Sequence, residues 1–348
     1  MKQKKLPVTR YYGSKRKIIS KIWENIEKEQ LEFNSVLDLF GGTGTFAYKA
    51  KLEGKQVIYN DIFKFNHLIG KAFIQNSTIK LTQSDINFLT TKHQKYQYKF
   101  YIKEHYHDIY FLDDENELID IIVQNIAQLK SSTKQSMAFY ALFQTTLIKR
   151  PFNTFHRKNL SLRIRDVKRT FGNKVTWEKD LIETFKKFCY DINSYIFSNS
   201  QQNKAINSSA LKCKATADLI YIDPPYISKN GSHVDYHSRY HFLEGLVNYD
   251  NFIKTINQNK INKEVMINKS LEFESKHTIH DDIDQLISKY KDKIIIFSYR
   301  NNGIPSQNEL QKIFKKYDKV CTEYILNNHS YALNRSNQDL HELLYILT

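Results

Sequence analysis

The chain has 348 residues and a formal net charge of +15, with 52 Lys and Arg against 37 Asp and Glu. A chain of this length can bury a large core and divide into more than one domain, and its excess of positive charge favours a polyanionic partner such as nucleic acid. The sequence opens without an apolar run and contains no window of about twenty apolar residues, so we expect neither a secretory signal nor a membrane span.

Cysteine and histidine usage argues against a metal centre. The three cysteines, Cys189, Cys213 and Cys321, have neither paired nor metal-ligand spacing, and the twelve histidines are scattered. Few, unpaired cysteines are typical of a reducing compartment. We therefore expect a cytoplasmic protein with no bound metal.

The first predicted elements are a helix over residues 16–30 and a strand over 36–40 that runs into a glycine turn. Such a turn at the carboxyl end of a strand lets the backbone approach a ligand closely. The candidate ligand-binding residues in and beside this turn are Asp38, Phe40, Gly41, Gly42 and Gly44.

A second predicted strand, over 56–61, ends at Asp61. This acid follows the first glycine by about twenty residues, the spacing of a carboxylate that holds ribose hydroxyls. The simpler alternative is an acid that only closes a strand-end turn. Phe46 and Ala47 replace the last glycine of the dinucleotide fingerprint. The pattern therefore favours a nucleoside cofactor without a pyrophosphate, and S-adenosylmethionine fits better than NAD.

The middle of the chain has a different character. Apolar residues that recur three and four apart predict helices over 115–129 and 132–148. The basic segment 149–174 follows, with nine Lys or Arg and a single acid, Asp166. Strict alternation of apolar and polar residues over 160–165 predicts a half-buried strand there.

The basic segment is a candidate DNA-binding surface. Its basic groups alternate with aromatic and amide side chains, a mixture that suits contacts to phosphates and to base edges. A solvated basic face without a partner is the simpler alternative. The candidate DNA-binding residues are Arg150, Asn153, His156, Arg157, Lys158, Arg163, Arg165 and Arg169.

A helix over 177–196 and a polar link over 198–204 lead into a second half with strand and helix alternation. Its predicted elements are a strand ending at Ile222, a strand over 294–299, a helix over 306–317, and strands over 320–326 and 341–347. The predicted division is 1–86 and 205–348 for the two parts of a catalytic domain, with 87–204 inserted between them.

Residues 218–226 read Asp-Leu-Ile-Tyr-Ile-Asp-Pro-Pro-Tyr, an apolar strand that leads directly into a carboxylate, two prolines and an aromatic ring. The Asp223 carboxylate and the Pro224 carbonyl can each accept one N–H of a planar amino group, and the Tyr226 ring can stack on the base that carries it. Pro224 and Pro225 stiffen the turn and remove two backbone donors. A chance Asp before a Pro-Pro turn is the simpler alternative, since four-residue matches are weak evidence.

Together these motifs resemble the Dam-like, alpha-group DNA adenine methyltransferases. The opening run from Arg10 to Lys17 is similar to the family's aromatic-x-Gly-x-Lys motif, and the order of motifs matches along the chain. The resemblance also covers Tyr240 to Leu243, Phe297 to Asn301, and the last strand from Glu342 to Ile346.

The resemblance implies a fold, a reaction and residue roles. The fold is α/β, a Rossmann-like methyltransferase sheet with an inserted, mainly helical target-recognition domain. The reaction moves a methyl group from S-adenosylmethionine to the amino group of an adenine flipped out of double-stranded DNA. The cofactor contacts are Tyr11, Lys15, Asp38, Phe40, Gly41, Gly42, Gly44, Asp61 and Asp223, and the catalytic residues are Asp223, Pro224, Pro225 and Tyr226. A cognate restriction endonuclease encoded nearby is a further expected partner.

One part of the family pattern is missing. Family members usually carry an acid followed by an aromatic residue shortly before the catalytic Asp, in contact with the adenine of the cofactor. Here that region reads Ala-Ile-Asn-Ser-Ser over residues 205–209. Asn207 could hydrogen-bond there, but it is no equivalent of the acid and aromatic pair.

Two rival functions stay open on the sequence alone. The same clamp could hold the amino group of cytosine, although the leading Asp223 and the order of the motifs favour adenine. In another class, the chain could be a DNA-binding module that has lost its activity.

Tyr236 or Tyr240, in the loop after the catalytic motif, could fill the gap that a flipped base leaves.

Overall fold

The structure is a computed structural model that describes residues 5–8, 10–165, 174–229, 231, 233–267, 272–326 and 341–348. The strands are β1 (Ser35–Asp38), β2 (Gln56–Asp61), β3 (Lys204–Asn207), β4 (Leu219–Ile222), β5 (Ile227–Ser228), β6 (Ile294–Arg300), β7 (Gly303–Ile304), β8 (Cys321–Leu326) and β9 (Glu342–Leu347). The candidate DNA contact Arg169 lies outside the described residues.

Seven strands form one sheet in the order β3-β2-β1-β4-β6-β9-β8, and β5 pairs with β7 in a small antiparallel ribbon. The five strands from β3 to β6 run parallel, whereas β9 is antiparallel to both β6 and β8. The chain winds outward in one direction from β1 to β3 and in the other from β4 to β6. This reversal opens a crevice at the carboxyl ends of β1 and β4, where α/β sheets bind ligands.

The α-helices are α1 (Ile19–Lys28), α2 (Thr45–Leu52), α3 (Lys64–Gly70), α4 (Gln83–Thr90), α5 (Tyr101–His105), α6 (Asp113–Ala127), α7 (Ser132–Ile148), α8 (Ser161–Ile164), α9 (Lys174–Glu178), α10 (Leu181–Tyr195), α11 (Tyr236–Val247), α12 (Phe252–Thr255), α13 (Ile279–Lys289) and α14 (Gln307–Lys315). Short 3-10 turns occur at Lys15–Lys17, Pro151–Asn153 and Tyr249–Asn251, and a π-turn at Lys71–Gln75. None of the helices in the described part of the chain is long and apolar enough to cross a membrane.

Both faces of the sheet are covered, because neighbouring residues of each strand enter different cores. Val36 and Tyr221 belong to the core shared with α1, α2, α7 and α10, whereas Leu37 and Ile220 belong to the core shared with α13 and α14. This arrangement confirms the predicted α/β class with a mainly parallel sheet.

The described segment between β2 and β3 is helical, and its long helices lie close to the predicted bounds. α7 spans the predicted residues, and Ser131 caps it by accepting a hydrogen bond from the backbone N–H of Lys134. α6 begins with Asp113, Asp114 and Glu115, acids that suit the positive end of the helix dipole. The apolar residues of this segment join the same core as α1 and α2. Its division into a separate recognition domain stays a prediction.

The predicted strand over 160–165 is wrong, since a single helical turn, α8, occupies this region. The backbone N–H groups of Arg163 and Ile164 both donate to the Leu160 carbonyl, which closes the turn. Ile164 is exposed, whereas a half-buried strand would have covered it. Arg163, a polar position of the alternating run, turns inward to an acid that is distant along the chain.

That acid is Glu115, at the centre of a buried cluster of charges. Its carboxylate accepts two hydrogen bonds from Arg163, at 2.7 and 2.9 Å, and one from Lys149 at 2.9 Å. All three side chains are nearly fully buried. The two cations hold the pKa of Glu115 below its usual value, although burial alone would raise it. The cluster ties α6 to the end of α7 and to α8.

Arg163→Ala is expected to destabilise the fold, because it leaves Glu115 buried with one of its two cationic partners gone. Removal of one partner of a buried ion pair typically costs about 3–5 kcal/mol. Urea denaturation followed by circular dichroism measures the change, and Arg157→Ala is the matched control on an exposed side chain. Equal midpoints for the two variants would contradict a structural role for Arg163.

Candidate active site

A cavity opens at the carboxyl ends of β1, β2 and β4, in the crevice between the two halves of the sheet. Its walls include four segments that are distant in sequence: residues 11–15, the glycine turn after β1, the Pro-Pro loop after β4, and residues 272–274. Residues 61–63, after β2, add to them. The cavity therefore brings together the predicted cofactor and catalytic residues.

The N-terminal segment closes one side of the cavity. Tyr11 stacks on Tyr240, with ring centroids 4.5 Å apart, and on Tyr236 at 5.5 Å. The backbone N–H of Tyr12 donates to the Tyr240 hydroxyl at 2.7 Å. Tyr236 and Tyr240 lie on α11, so this part of the predicted loop is helical. Tyr240 is 1% exposed and packs against Tyr11, which makes it a poor candidate for filling a gap in DNA.

Lys15 brings a positive charge to the cavity and is itself buried. Its ammonium group donates to the Asp223 carboxylate at 2.7 Å and to the Tyr226 hydroxyl at 2.6 Å. The Tyr226 hydroxyl in turn donates to the same oxygen of Asp223. Two residues of the catalytic motif therefore meet the Lys of the N-terminal motif.

Glu342, which opens β9, is the residue that the sequence analysis missed. It is fully buried, and its Oε1 lies 2.6 Å from the Tyr226 hydroxyl and 3.4 Å from the Lys15 ammonium. Ser298 of β6 also donates to this oxygen. The sequence signals were the family resemblance of this last strand and the carboxylate at its start, to which no role was assigned.

The charges in this cluster shift one another's pKa values. Burial raises the pKa of Asp223; the nearby Lys15 opposes this rise, and the negative charge of Glu342 adds to it. Burial alone would lower the pKa of Lys15, but the two carboxylates outweigh it and raise that pKa. One cation thus serves two buried acids.

The glycine turn is shaped by packing as well as by its backbone angles. A Cβ on Gly41 would lie 2.1 Å from the Tyr59 ring, and one on Gly70 would lie 2.4 Å from the same ring. The Tyr59 hydroxyl donates to the Gly42 carbonyl at 2.7 Å. Gly42 and Gly44 have φ values of +48° and +69°, which favour glycine.

Asp38 and Asp61 flank this turn. Asp38 accepts the backbone N–H of Ala47 at 3.1 Å through one oxygen, and its other oxygen, Oδ1, is buried without a hydrogen-bond partner. Burial raises the pKa of Asp38 well above its usual value. An unpaired buried carboxylate oxygen is unfavourable unless a ligand supplies a donor.

Asp61 holds the end of β2 against the glycine turn. It accepts hydrogen bonds from the backbone N–H groups of Gly42 and Phe63, both at 2.8 Å, and from the Asn66 side chain at 3.1 Å. Burial raises its pKa to about 6 in spite of these donors. A carboxylate can accept about four hydrogen bonds, so one acceptor position is left for a ligand.

These residues fit S-adenosylmethionine. The unpaired Asp38 oxygen suits the ammonium group of its methionine part, and Asp61 suits a ribose hydroxyl. Phe40 and Phe63 add apolar surface to the same cavity. Asn207 does not line the cavity, and its amide N–H groups donate to the carbonyls of Asp61 and Ile62 at 2.8 and 2.9 Å.

The candidate DNA-binding residues divide into interior and surface groups. Arg150 is 1% exposed and donates to the backbone carbonyls of Tyr110, Thr154 and Arg157, and burial lowers its pKa to about 9. Its role is therefore structural, like that of Arg163. The exposed members are Arg157, Lys158 and Arg165, and the partly buried ones are Asn153 and His156.

Phe155, in the same segment as the surface group, connects this segment to the cavity wall. The backbone N–H of Phe155 donates to the Arg239 carbonyl at 2.8 Å. The Arg239 guanidinium lies 4.9 Å from the centre of the Tyr12 ring, and Tyr12 lines the cavity. Burial and the charges of Arg239 and Arg157 lower the pKa of His156 to about 4, so this imidazole is neutral at pH 7.

Comparison with known proteins identifies the family of this chain. The chain is 26% identical to the Type II methyltransferase M2.HphI of Haemophilus parahaemolyticus over 100% of this chain and 99% of the relative. It is 25% identical to the Type II methyltransferase M.NlaIII of Neisseria lactamica over 97% and 98%, and 26% identical to the Type II methyltransferase M.FokI of Planomicrobium okeanokoites over 97% and 52%. Residues 11–294 match a family described as D12 class N6 adenine-specific DNA methyltransferase. The chain therefore belongs to the D12 class of N6 adenine-specific DNA methyltransferases.

Proposed function

We propose that the chain binds S-adenosylmethionine in the cavity between β1, β2 and β4 and methylates adenine in double-stranded DNA as the modification enzyme of a restriction system. The observation that carries this proposal is the convergence of Lys15, Asp223, Tyr226 and Glu342 beside the two carboxylates of the glycine turn. When bound, the cofactor supplies a methyl group on a positively charged sulfur.

Asp223 and the Pro224 carbonyl act as acceptors for the two hydrogens of the adenine amino group. Their pull leaves the nitrogen lone pair less delocalised into the ring and aims it at the methyl group. The stiff Pro-Pro turn holds both acceptors in place before the substrate arrives, so little reorganisation is needed during the reaction. After transfer, Asp223 is the nearest base for the proton that the amine must lose.

Glu342 supports the amino-group clamp, which consists of Asp223 and the Pro224 carbonyl, through its contacts to Tyr226 and Lys15. Tyr226 has one hydroxyl hydrogen and two carboxylates within reach, Asp223 and Glu342. When the amine donates to Asp223, the Tyr226 hydroxyl can turn to Glu342. The ring of Tyr226 stays fixed by this bond and presents its face to the extruded base. Glu342 is thus a positioning residue, since it acts through Tyr226 and Lys15.

The adenine amino group is paired inside a duplex, so the nucleotide must rotate out to reach the cavity. The exposed Arg157, Lys158 and Arg165 would hold the DNA backbone during this step. Asn153 and His156 are partly buried and are the proposed base-edge or sugar contacts. The expected setting is the cytoplasm, with a cognate endonuclease as the partner in restriction.

Asp223→Ala is expected to lower methyl transfer at least about a hundredfold, by removal of a preorganised acceptor. The protein is incubated with S-adenosylmethionine and unmethylated DNA, and the DNA is digested to nucleosides that are identified by mass. Asp250→Ala, on an acid whose side chain is 89% exposed, is the matched control. Methylcytosine in place of methyladenine would contradict the assigned target, and full activity of Asp223→Ala would contradict the assigned clamp.

Glu342→Gln is expected to reduce kcat about tenfold, equivalent to about 1.4 kcal/mol, with a smaller effect on cofactor binding. Asp223 works ionised, so activity is present above its pKa and is lost as the pH falls through it. Removal of the Glu342 charge lowers the pKa of Asp223, so the acid limb of the kcat profile should move to lower pH. Ser298→Ala keeps the Glu342 charge and should leave the acid limb of the kcat profile at the same pH. If the acid limb of Glu342→Gln also stays at the same pH, the positioning role of Glu342 is refuted.

Arg157→Ala and Lys158→Ala are expected to weaken DNA binding and to reduce the salt dependence of the binding constant by about one unit of log–log slope each. Fluorescence anisotropy with a labelled duplex at several salt concentrations measures both effects. Lys316→Ala, at the end of α14, is the control for loss of an exposed lysine. Unchanged slopes would place the DNA on another surface.

A further inference from the structure

We propose that Glu272, from the segment before α13, recognises the 6-amino group of the cofactor's adenine, and that Phe273 provides the neighbouring aromatic wall. This assignment rests on the proposed use of S-adenosylmethionine. It replaces the acid and aromatic pair that the chain lacks before its catalytic motif with a pair from a different part of the sequence.

One carboxylate oxygen of Glu272 accepts a hydrogen bond, and the other has no partner among the described residues. Its Oε1 accepts a hydrogen bond from the Ser209 hydroxyl at 3.0 Å. Its Oε2 is buried and has no hydrogen-bond partner among the described residues. Glu272 also lines the cavity. A buried carboxylate oxygen without a donor is costly, and a ligand N–H in the cavity would satisfy it.

The position of Glu272 fits the adenine end of the cofactor. Ser209, which holds it, lies just beyond the end of β3, on the side of the cavity next to Asp61 and away from Asp223. Asn207 at the end of β3 does not line the cavity, and its amide N–H groups donate to the carbonyls of Asp61 and Ile62. Glu272 comes from another segment and offers an acceptor without a partner inside the cavity.

Phe273 is fixed in a conformation that a bulky residue rarely adopts. Its φ is +67°, and its backbone N–H donates to the Asp282 carboxylate at 3.1 Å. Its ring meets Phe40 of the glycine turn edge-on, with centroids 5.1 Å apart. Strained backbone of this kind persists only where the surroundings enforce it. Here it directs Glu272 and Phe273 to the same cavity, an acceptor beside an aromatic wall.

This pair would distinguish adenine from hypoxanthine. The adenine amino group donates hydrogen bonds, and an ionised carboxylate only accepts them. Hypoxanthine carries a carbonyl oxygen at the same position, which faces the carboxylate with like partial charge. Sites built to bond one polar group reject analogues that lack it, because their own buried group is left unpaired.

The test compares S-adenosylmethionine with its deaminated analogue, which has hypoxanthine in place of adenine. Isothermal titration calorimetry with the full chain and no DNA gives both dissociation constants. The wild type should prefer the adenine form at least about tenfold. Glu272→Gln should lose most of this preference, because a glutamine amide can turn to present either its oxygen or its N–H groups.

Two further variants make the result decisive. Ser209→Ala frees the anchored oxygen and should reduce the preference partially, which keeps the test valid if Glu272→Gln folds poorly. Glu274→Gln changes the other acid of this segment that lines the cavity, and it should retain the preference. Retained preference in Glu272→Gln, or loss only in Glu274→Gln, overturns the assignment while the proposed function stands. A wild type that binds neither compound overturns both.

Discussion

One buried cation shared between two buried carboxylates is the interaction on which the rest of the site depends. Lys15 comes from the N-terminal segment, Asp223 from the loop after β4 and Glu342 from the last strand. A buried charge without a partner is strongly unfavourable, so each of these groups needs the others to stay in place. The cluster therefore closes the cavity and joins the first and last parts of the described chain.

The second constraint is the ring of Tyr59. Gly41 and Gly70 leave the space that this ring occupies, and its hydroxyl fixes the carbonyl of Gly42. The glycine turn is thus held by the core below it, and its shape is set before any ligand binds. Asp61 adds to this order through its bonds to Gly42 and Phe63. A preformed turn of this kind leaves less to be ordered on binding.

The positive charge of the chain is divided between interior and surface. The interior group connects helices of the middle segment. Its member Arg150 donates to backbone carbonyls, and Arg163 and Lys149 pair with Glu115. Arg157 and Lys158, from the same run, lie on the surface. The net charge of the chain therefore indicates the class of partner but not which residues contact that partner. Only the burial of each side chain distinguishes the interior group from the surface group.

The sequence by itself determined the elements whose signals are local. α7 and the apolar strands β4, β6 and β9 follow from periodicity and composition, and the glycine turn and the Pro-Pro motif follow from backbone chemistry at single positions. The tertiary structure alone decided what depends on distant pairs. It turned the alternating run at 160–165 into a helical turn through the bond between Arg163 and Glu115. It also brought Glu342 to Tyr226, 116 residues away, and Glu272 to Ser209 and the cavity, 63 residues away. The sequence did not predict these contacts, because a side chain's partner at such a distance along the chain leaves no periodic pattern.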